Sequence, residues 1–132
     1  MKRAFATIAI GLVLSGCGAL THTAAPTSGR VAGHVTVRAC GGANTENQTG
    51  CQAHPSPGVT LAFKQVAGGD ISFATTDAGG AYAITLPPGD YLVSPRDASS
   101  LGPMRRWGGP NVVTVRAGKT MTADFVYTIQ LL

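Results

Sequence analysis

Three cysteines, Cys17, Cys40 and Cys51, are the most reactive side chains of this sequence. An odd number cannot all pair within one chain, so at least one must do something else. Cys40 and Cys51 bracket a stretch rich in Gly, Asn, Gln and Thr. They could close that loop as a disulfide. With His54, which stands three residues after Cys51, and with help from His34, they could instead ligate a metal. Structural zinc takes four protein ligands, and such a set would use up every histidine after residue 30.

A second group lies between Gly102 and Pro110, read as a loop, where Arg105 and Arg106 precede Trp107, the sole tryptophan. Trp and Arg are the residue types enriched at binding hot spots. Here Trp107 could stack on a sugar or peptide while the arginines hold an anion. Alternatively Trp107 caps the core and the arginines face water. Catalytic groupings are poor by comparison. No Gly-x-Ser-x-Gly elbow occurs, and the acids Asp70, Asp77, Asp90 and Asp97 fall among turn residues, where carboxylates cap backbone amides. Asp124 takes the outward parity of the last apolar run. Gly68-Gly69 precedes a strand pattern rather than a helix, which argues against a phosphate cradle. No catalytic residue, metal or cofactor is expected.

The first seventeen residues form a separate unit. Lys2 and Arg3 make a short basic region, Ala4 to Leu14 is an apolar run, and small residues follow. A helix spanning a bilayer needs about 20 apolar residues. This run is shorter and has the order of an export signal. Its end, Leu14-Ser15-Gly16-Cys17, resembles the lipobox of bacterial lipoproteins. The resemblance implies that residues 1–16 are a removed signal peptide and that Cys17 becomes the acylated first residue. Two or more acyl chains hold a protein stably on a membrane where one does not. Residues 17–29, rich in Thr, Ala, Ser and Gly, read as a flexible tether. The expected location is the outer face of the cell membrane, or the outer membrane, with Gly18 after the cysteine compatible with the latter. Export also favours the Cys40–Cys51 disulfide over thiolate chemistry. Closing a loop of that size contributes about 3 kcal/mol in the chain-entropy model.

Charge excludes another class of partner. The chain has ten basic and six acidic residues. Without Lys2 and Arg3, eight basic residues face six acidic ones. This near balance lacks the clustered basic face of a nucleic-acid binder. Partners are therefore sought in the membrane, an envelope protein or a glycan.

From residue 30 onward the pattern is one of strands. Apolar residues alternate at Val31, Val35 and Val37, at Val59, Leu61 and Phe63, at Ile71 and Phe73, at Tyr82, Ile84 and Leu86, at Tyr91 and Val93, and at Val113 and Val115. The longest series is Met121, Ala123, Phe125, Tyr127 and Ile129. A period of two means strands with one face buried. Asp77-Ala78-Gly79-Gly80, Pro87-Pro88-Gly89-Asp90 and Ala117-Gly118-Lys119-Thr120 supply the turns. About seven short strands predict a single antiparallel β-sandwich over residues 30–132.

Thr76-Asp77-Ala78-Gly79-Gly80-Ala81-Tyr82-Ala83-Ile84, followed by Leu86-Pro87-Pro88-Gly89-Asp90-Tyr91-Leu92-Val93, resembles carboxypeptidase-regulatory-like, prealbumin-like domains. Gly33, Pro57-Gly58-Val59 and Val115 to Thr120 fit as well. The resemblance implies a prealbumin-like fold and leaves function open, because such modules serve as stalks, adhesin repeats and binding domains. Its enzymes are poorly matched. Hydroxyisourate hydrolases end in Tyr-Arg-Gly-Ser, whereas this chain ends Tyr127-Thr128-Ile129-Gln130-Leu131-Leu132. Intradiol dioxygenases need two tyrosines and two histidines on iron, and here only His34 and His54 are on offer. An internal isopeptide bond, as in adhesin relatives, would draw on Lys64 or Lys119, with no Asn in the last strand. The expectation is a non-catalytic binding or structural module.

Overall fold

A computed structural model describes residues 24–41, 51–96 and 105–131. Ten strands are present there: β1 (Gly29–Gly41), β2 (His54–Pro55), β3 (Thr60–Gln65), β4 (Ile71–Thr75) and β5 (Ala81–Leu86) come first. β6 (Gly89–Pro95), β7 (Arg105–Gly108), β8 (Val112–Val115), β9 (Thr120–Thr122) and β10 (Phe125–Leu131) follow. They form two sheets packed as a sandwich. One is four-stranded, in the order β4-β3-β6-β8, and antiparallel throughout. The other is built around β1. The first half of β1 lies between β5 and β9, and its second half between β2 and β10, with β7 outside β10.

The all-β sandwich follows from the alternation, but two of its pairings are not antiparallel. β1 runs parallel to both β9 and β10. The final stretch of chain is one strand path broken at Ala123 and Asp124, and with the short strands β2 and β7 this takes the count from seven to ten. Gly33 stands opposite the break. A β-carbon there would strike the Ala123 carbonyl and the Asp124 carboxylate. The absent side chain is what lets the Ala123 N–H bond to the Ala32 carbonyl at 3.0 Å and the strand resume beyond it.

The core lies between the sheets. Val31, Val35, Tyr82, Leu86, Phe125 and Tyr127 face Leu61, Phe63, Tyr91, Val93, Val113 and Val115. Aromatic rings link the layers, with Phe63 6.0 Å from Tyr82 and Tyr82 6.3 Å from Phe125 between centroids. Ile71 and Phe73 correct the expected pattern, for they point outward and Ala74 takes the inner position. The register explains this. Ala74 pairs with Leu61 and Ser72 with Phe63; the large side chains of β3 already fill the interior, and the neighbouring edge strand has room only for small ones.

The glycine turns fall where expected, but they close no hairpins: β4 to β5, β5 to β6 and β8 to β9 each cross from one sheet to the other. Gly80 has φ of 74° and donates to the Asp77 carbonyl at 3.0 Å, and Gly118 has φ of 71°. Among the described residues, no helix is long and apolar enough to cross a membrane. The segment ending in Cys17 lies outside the described residues.

Candidate functional site

A disulfide joins Cys40, near the end of β1, to Cys51, with Cα atoms 4.8 Å apart. β1 carries Cys40 past β2, and the two-residue pairing of Thr36 with Pro55 and Val37 with His54 returns the chain alongside it. That return sets the distance between the sulfurs. With both thiols committed, the candidate metal set loses its two cysteines. His54 is exposed on β2 and His34 is exposed on β1. Among the described residues, no three His, Cys, Asp or Glu side chains gather as a metal site.

His34 has a structural partner instead. Its backbone N–H donates to Asp124 Oδ1 at 2.8 Å, and its ring Nδ1 lies 3.9 Å from the same oxygen. Both side chains are well exposed, so their mutual attraction is screened by water. Two other acids, Asp77 and Asp90, are also committed locally. Asp77 Oδ1 accepts from the N–H groups of Gly79 and Ala81 at 2.9 and 3.0 Å, which is the turn-capping role expected of it. Asp90 differs from that expectation. It sits within β6 and accepts from Thr114 Oγ1 at 2.7 Å across the strand pair. Asp97 lies outside the described residues, as does most of the segment between Gly102 and Arg105.

Arg105, Arg106 and Trp107 are not in a loop. They form β7, an edge strand antiparallel to β10 with Arg105 opposite Ile129, Arg106 opposite Thr128 and Trp107 opposite Tyr127. The sequence concealed this because a four-residue strand carrying two arginines shows no apolar alternation. Pleating then sends adjacent side chains to opposite faces. Trp107 turns to the core side, half-buried, and stacks on Phe125 with centroids 4.9 Å apart and planes at 11°. Its edge contact with Tyr127 is 4.7 Å between centroids. Arg106 is exposed, at the neighbouring position of the pleat. Trp107 therefore caps the core, and one face of its ring is already occupied.

Two tyrosines and a threonine, which the sequence presents only as strand and turn positions, tie the sandwich together through their hydroxyls. Tyr82 donates its hydroxyl to the Ala123 carbonyl at 2.6 Å, at the break between β9 and β10. Burial, with a smaller contribution from the Asp124 carboxylate, pushes its ionisation far above the usual tyrosine range. Tyr91 donates to the Pro87 carbonyl at 2.7 Å, and burial raises its ionisation as well. Thr76 is buried. Its hydroxyl donates to the Ser56 carbonyl at 2.7 Å and accepts from the Val59 N–H at 2.9 Å. The available signal was its place beside the Asp77 turn, where only the aspartate drew notice.

No family model matches the chain, and no curated protein matches it. Solved structures do. A minor pilin of Streptococcus agalactiae aligns with a TM-score of 0.56 at 17% identity, over 82% of this chain and 47% of the pilin. The Bacillus anthracis TIE protein aligns more loosely, at 0.48 and 14% identity, over 78% of this chain and 17% of that one. A DUF3823 family protein from Parabacteroides merdae gives 0.48 and 20% identity, over 80% and 48%. The chain thus spans about half the length of the pilin. At such identity the likeness to the pilin is one of fold.

Proposed function

We propose that this chain is a lipid-anchored, surface-displayed module whose sandwich works by binding or spacing and performs no catalysis. The observation that carries the reading is how the reactive groups are used. Cys40 and Cys51 close a covalent loop, Asp77 caps a turn, Asp124 takes a backbone N–H and Trp107 closes the core. General acid–base work needs titratable groups converging on a substrate position, and these groups are spread over separate strands and turns. The Leu14-Ser15-Gly16-Cys17 resemblance supplies the anchor, and the prealbumin-like signature of residues 76–93 supplies the type of module.

A glycan would have to approach Trp107 on the ring face opposite Phe125, without help from Arg106, which the pleat sends to the other side of the strand. The geometry favours the role of cap. A glycan pull-down comparing the parent chain with Trp107→Ala separates the two, since equal retention counts against sugar binding there. The function itself is tested by proximity crosslinking on intact cells. The anchored chain should capture a defined set of envelope neighbours that Cys17→Ala does not capture. Identical crosslinks from both would overturn the reading.

A further inference from the structure

Among the described residues, all five exposed large apolar side chains fall on one surface. Val66, Ile71, Phe73, Leu92 and Val112 are 46% to 55% exposed. Ile71 and Phe73 point outward from β4, Leu92 from β6 and Val112 from β8. Val66 continues β3 by donating its N–H to the Asp90 carbonyl at 2.9 Å. The register places Ile71 beside Lys64, Lys64 beside Leu92 and Leu92 beside Val112, one row across the whole four-stranded sheet. Contiguous exposed apolar surface of this kind marks an interaction site.

The charges on this face indicate the partner. Lys64 stands within the apolar row, and the Arg96 guanidinium lies 4.9 Å above the Phe73 ring. Long basic side chains can lay their stems on apolar surface while their heads reach a polar layer. Asp90, the carboxylate on the strands of this face, is one row away and already bonded to Thr114. Two copies stacked face to face would bring the Lys64 and Arg96 groups of both onto one buried surface, where Asp90 alone on its strands offers a carboxylate, an unfavourable gathering of like charge. A flat anionic partner has no such conflict.

The chain leading toward the anchor passes one edge of this sheet. The Ser28 carbonyl accepts from the Gly118 N–H at 2.9 Å, just beyond the end of β8. From Cys17 to Ser28 the chain can span about 40 Å at full extension, and less when coiled. A domain of about 100 residues has a radius of gyration of about 13 Å. The tether is thus rooted beside the edge strand of the apolar face, and its reach allows that face to meet the bilayer.

We propose that the outer face of the four-stranded sheet rests on an anionic lipid surface, with Ile71, Phe73, Leu92 and Val112 in the interfacial layer and Lys64 and Arg96 on the headgroups. The six-stranded sheet then faces away from the membrane. This placement rests on the reading of Cys17 as the anchor.

The test uses the mature chain, residues 17–132 with Cys17→Ser, which cannot be acylated, and sedimentation with vesicles of phosphatidylglycerol and phosphatidylcholine or of phosphatidylcholine alone. The basic and apolar residues 1–16 then contribute nothing to binding, and the comparison is between faces. Phe73→Ser with Leu92→Ser should weaken binding to the anionic vesicles at least ~10-fold, and Lys64→Gln with Arg96→Gln should remove most of the preference for them. Far-UV circular dichroism checks that each variant is folded. Equal binding by all three chains overturns the proposal. So does a lipid-free dimer, seen by sedimentation velocity, that Phe73→Ser with Leu92→Ser dissolves, because it assigns the face to a second copy. A mass showing an unmodified Cys17 in the parent protein would instead overturn the anchor, leaving the vesicle result to stand by itself.

Discussion

Thr76 is the residue whose loss should cost most for its size. Its one hydroxyl serves the Ser56 carbonyl and the Val59 N–H, and so ties the turn before β3 to the turn before β5. A valine fills the same volume but leaves both groups unpartnered away from water. Unsatisfied buried groups cost about 1–3 kcal/mol. We expect Thr76→Val to lose about 2 kcal/mol in chemical denaturation, with Thr76→Ser recovering most of it. Tyr82 makes a different prediction. Its ionisation is raised in the folded chain by burial and by Asp124, so the native state holds the proton where the unfolded state releases it. The stability this contributes is complete below the ordinary tyrosine value of about 10 and falls as pH rises past it. Denaturation midpoints should therefore decline above about pH 10. Tyr82→Phe should flatten the decline in part, Tyr91 supplying the remainder. A slope unchanged in the variant would contradict the assignment. Neither role was legible beforehand, because a hydroxyl's partner is chosen by strands far apart in sequence.

Strands differ in how openly the sequence displays them. β10 was plain, since Phe125, Tyr127 and Ile129 alternate with polar residues and the buried face follows that parity. β4 was visible as a strand but inverted in facing, because alternation fixes which residues share a side and not which side is inward. The packing of Leu61 and Phe63 decides that. β7 was missed, since an edge strand of four residues owes its existence to pairing with β10 and not to its own pattern. Parallel pairing of β1 with β9 and β10 was equally hidden, as it joins the two ends of the domain. The Cys40–Cys51 link belongs to this scale, because it fastens the end of β1 to the chain that returns as β2. Replacing both cysteines by serine should cost about 3 kcal/mol while leaving the far-UV spectrum of the sandwich in place. Alkylation of the unreduced protein that labels both thiols would show that the link does not form.

At the scale of the molecule, the sandwich is a scaffold with two unlike outer surfaces, one of them carrying all five exposed large apolar side chains among the described residues. Its fold is shared with a pilin at low identity, and fold alone does not assign function. What would distinguish this chain, on the proposed function, is the conjunction of that scaffold with Leu14-Ser15-Gly16-Cys17, a lipobox-like stretch outside the described residues and legible only as sequence. On the proposed reading the anchor and the fold are separable, since the strands of the sandwich begin at Gly29, twelve residues after Cys17. Cys17→Ala should therefore leave the unfolding transition unchanged and shift the protein from membranes to the soluble fraction. The most direct measurement is mass spectrometry of the N-terminal peptide from membrane-extracted protein. The expected product is a chain that begins at Cys17 and carries a diacylglyceryl thioether. A chain that retains residues 1–16, with a free thiol at Cys17, would contradict it.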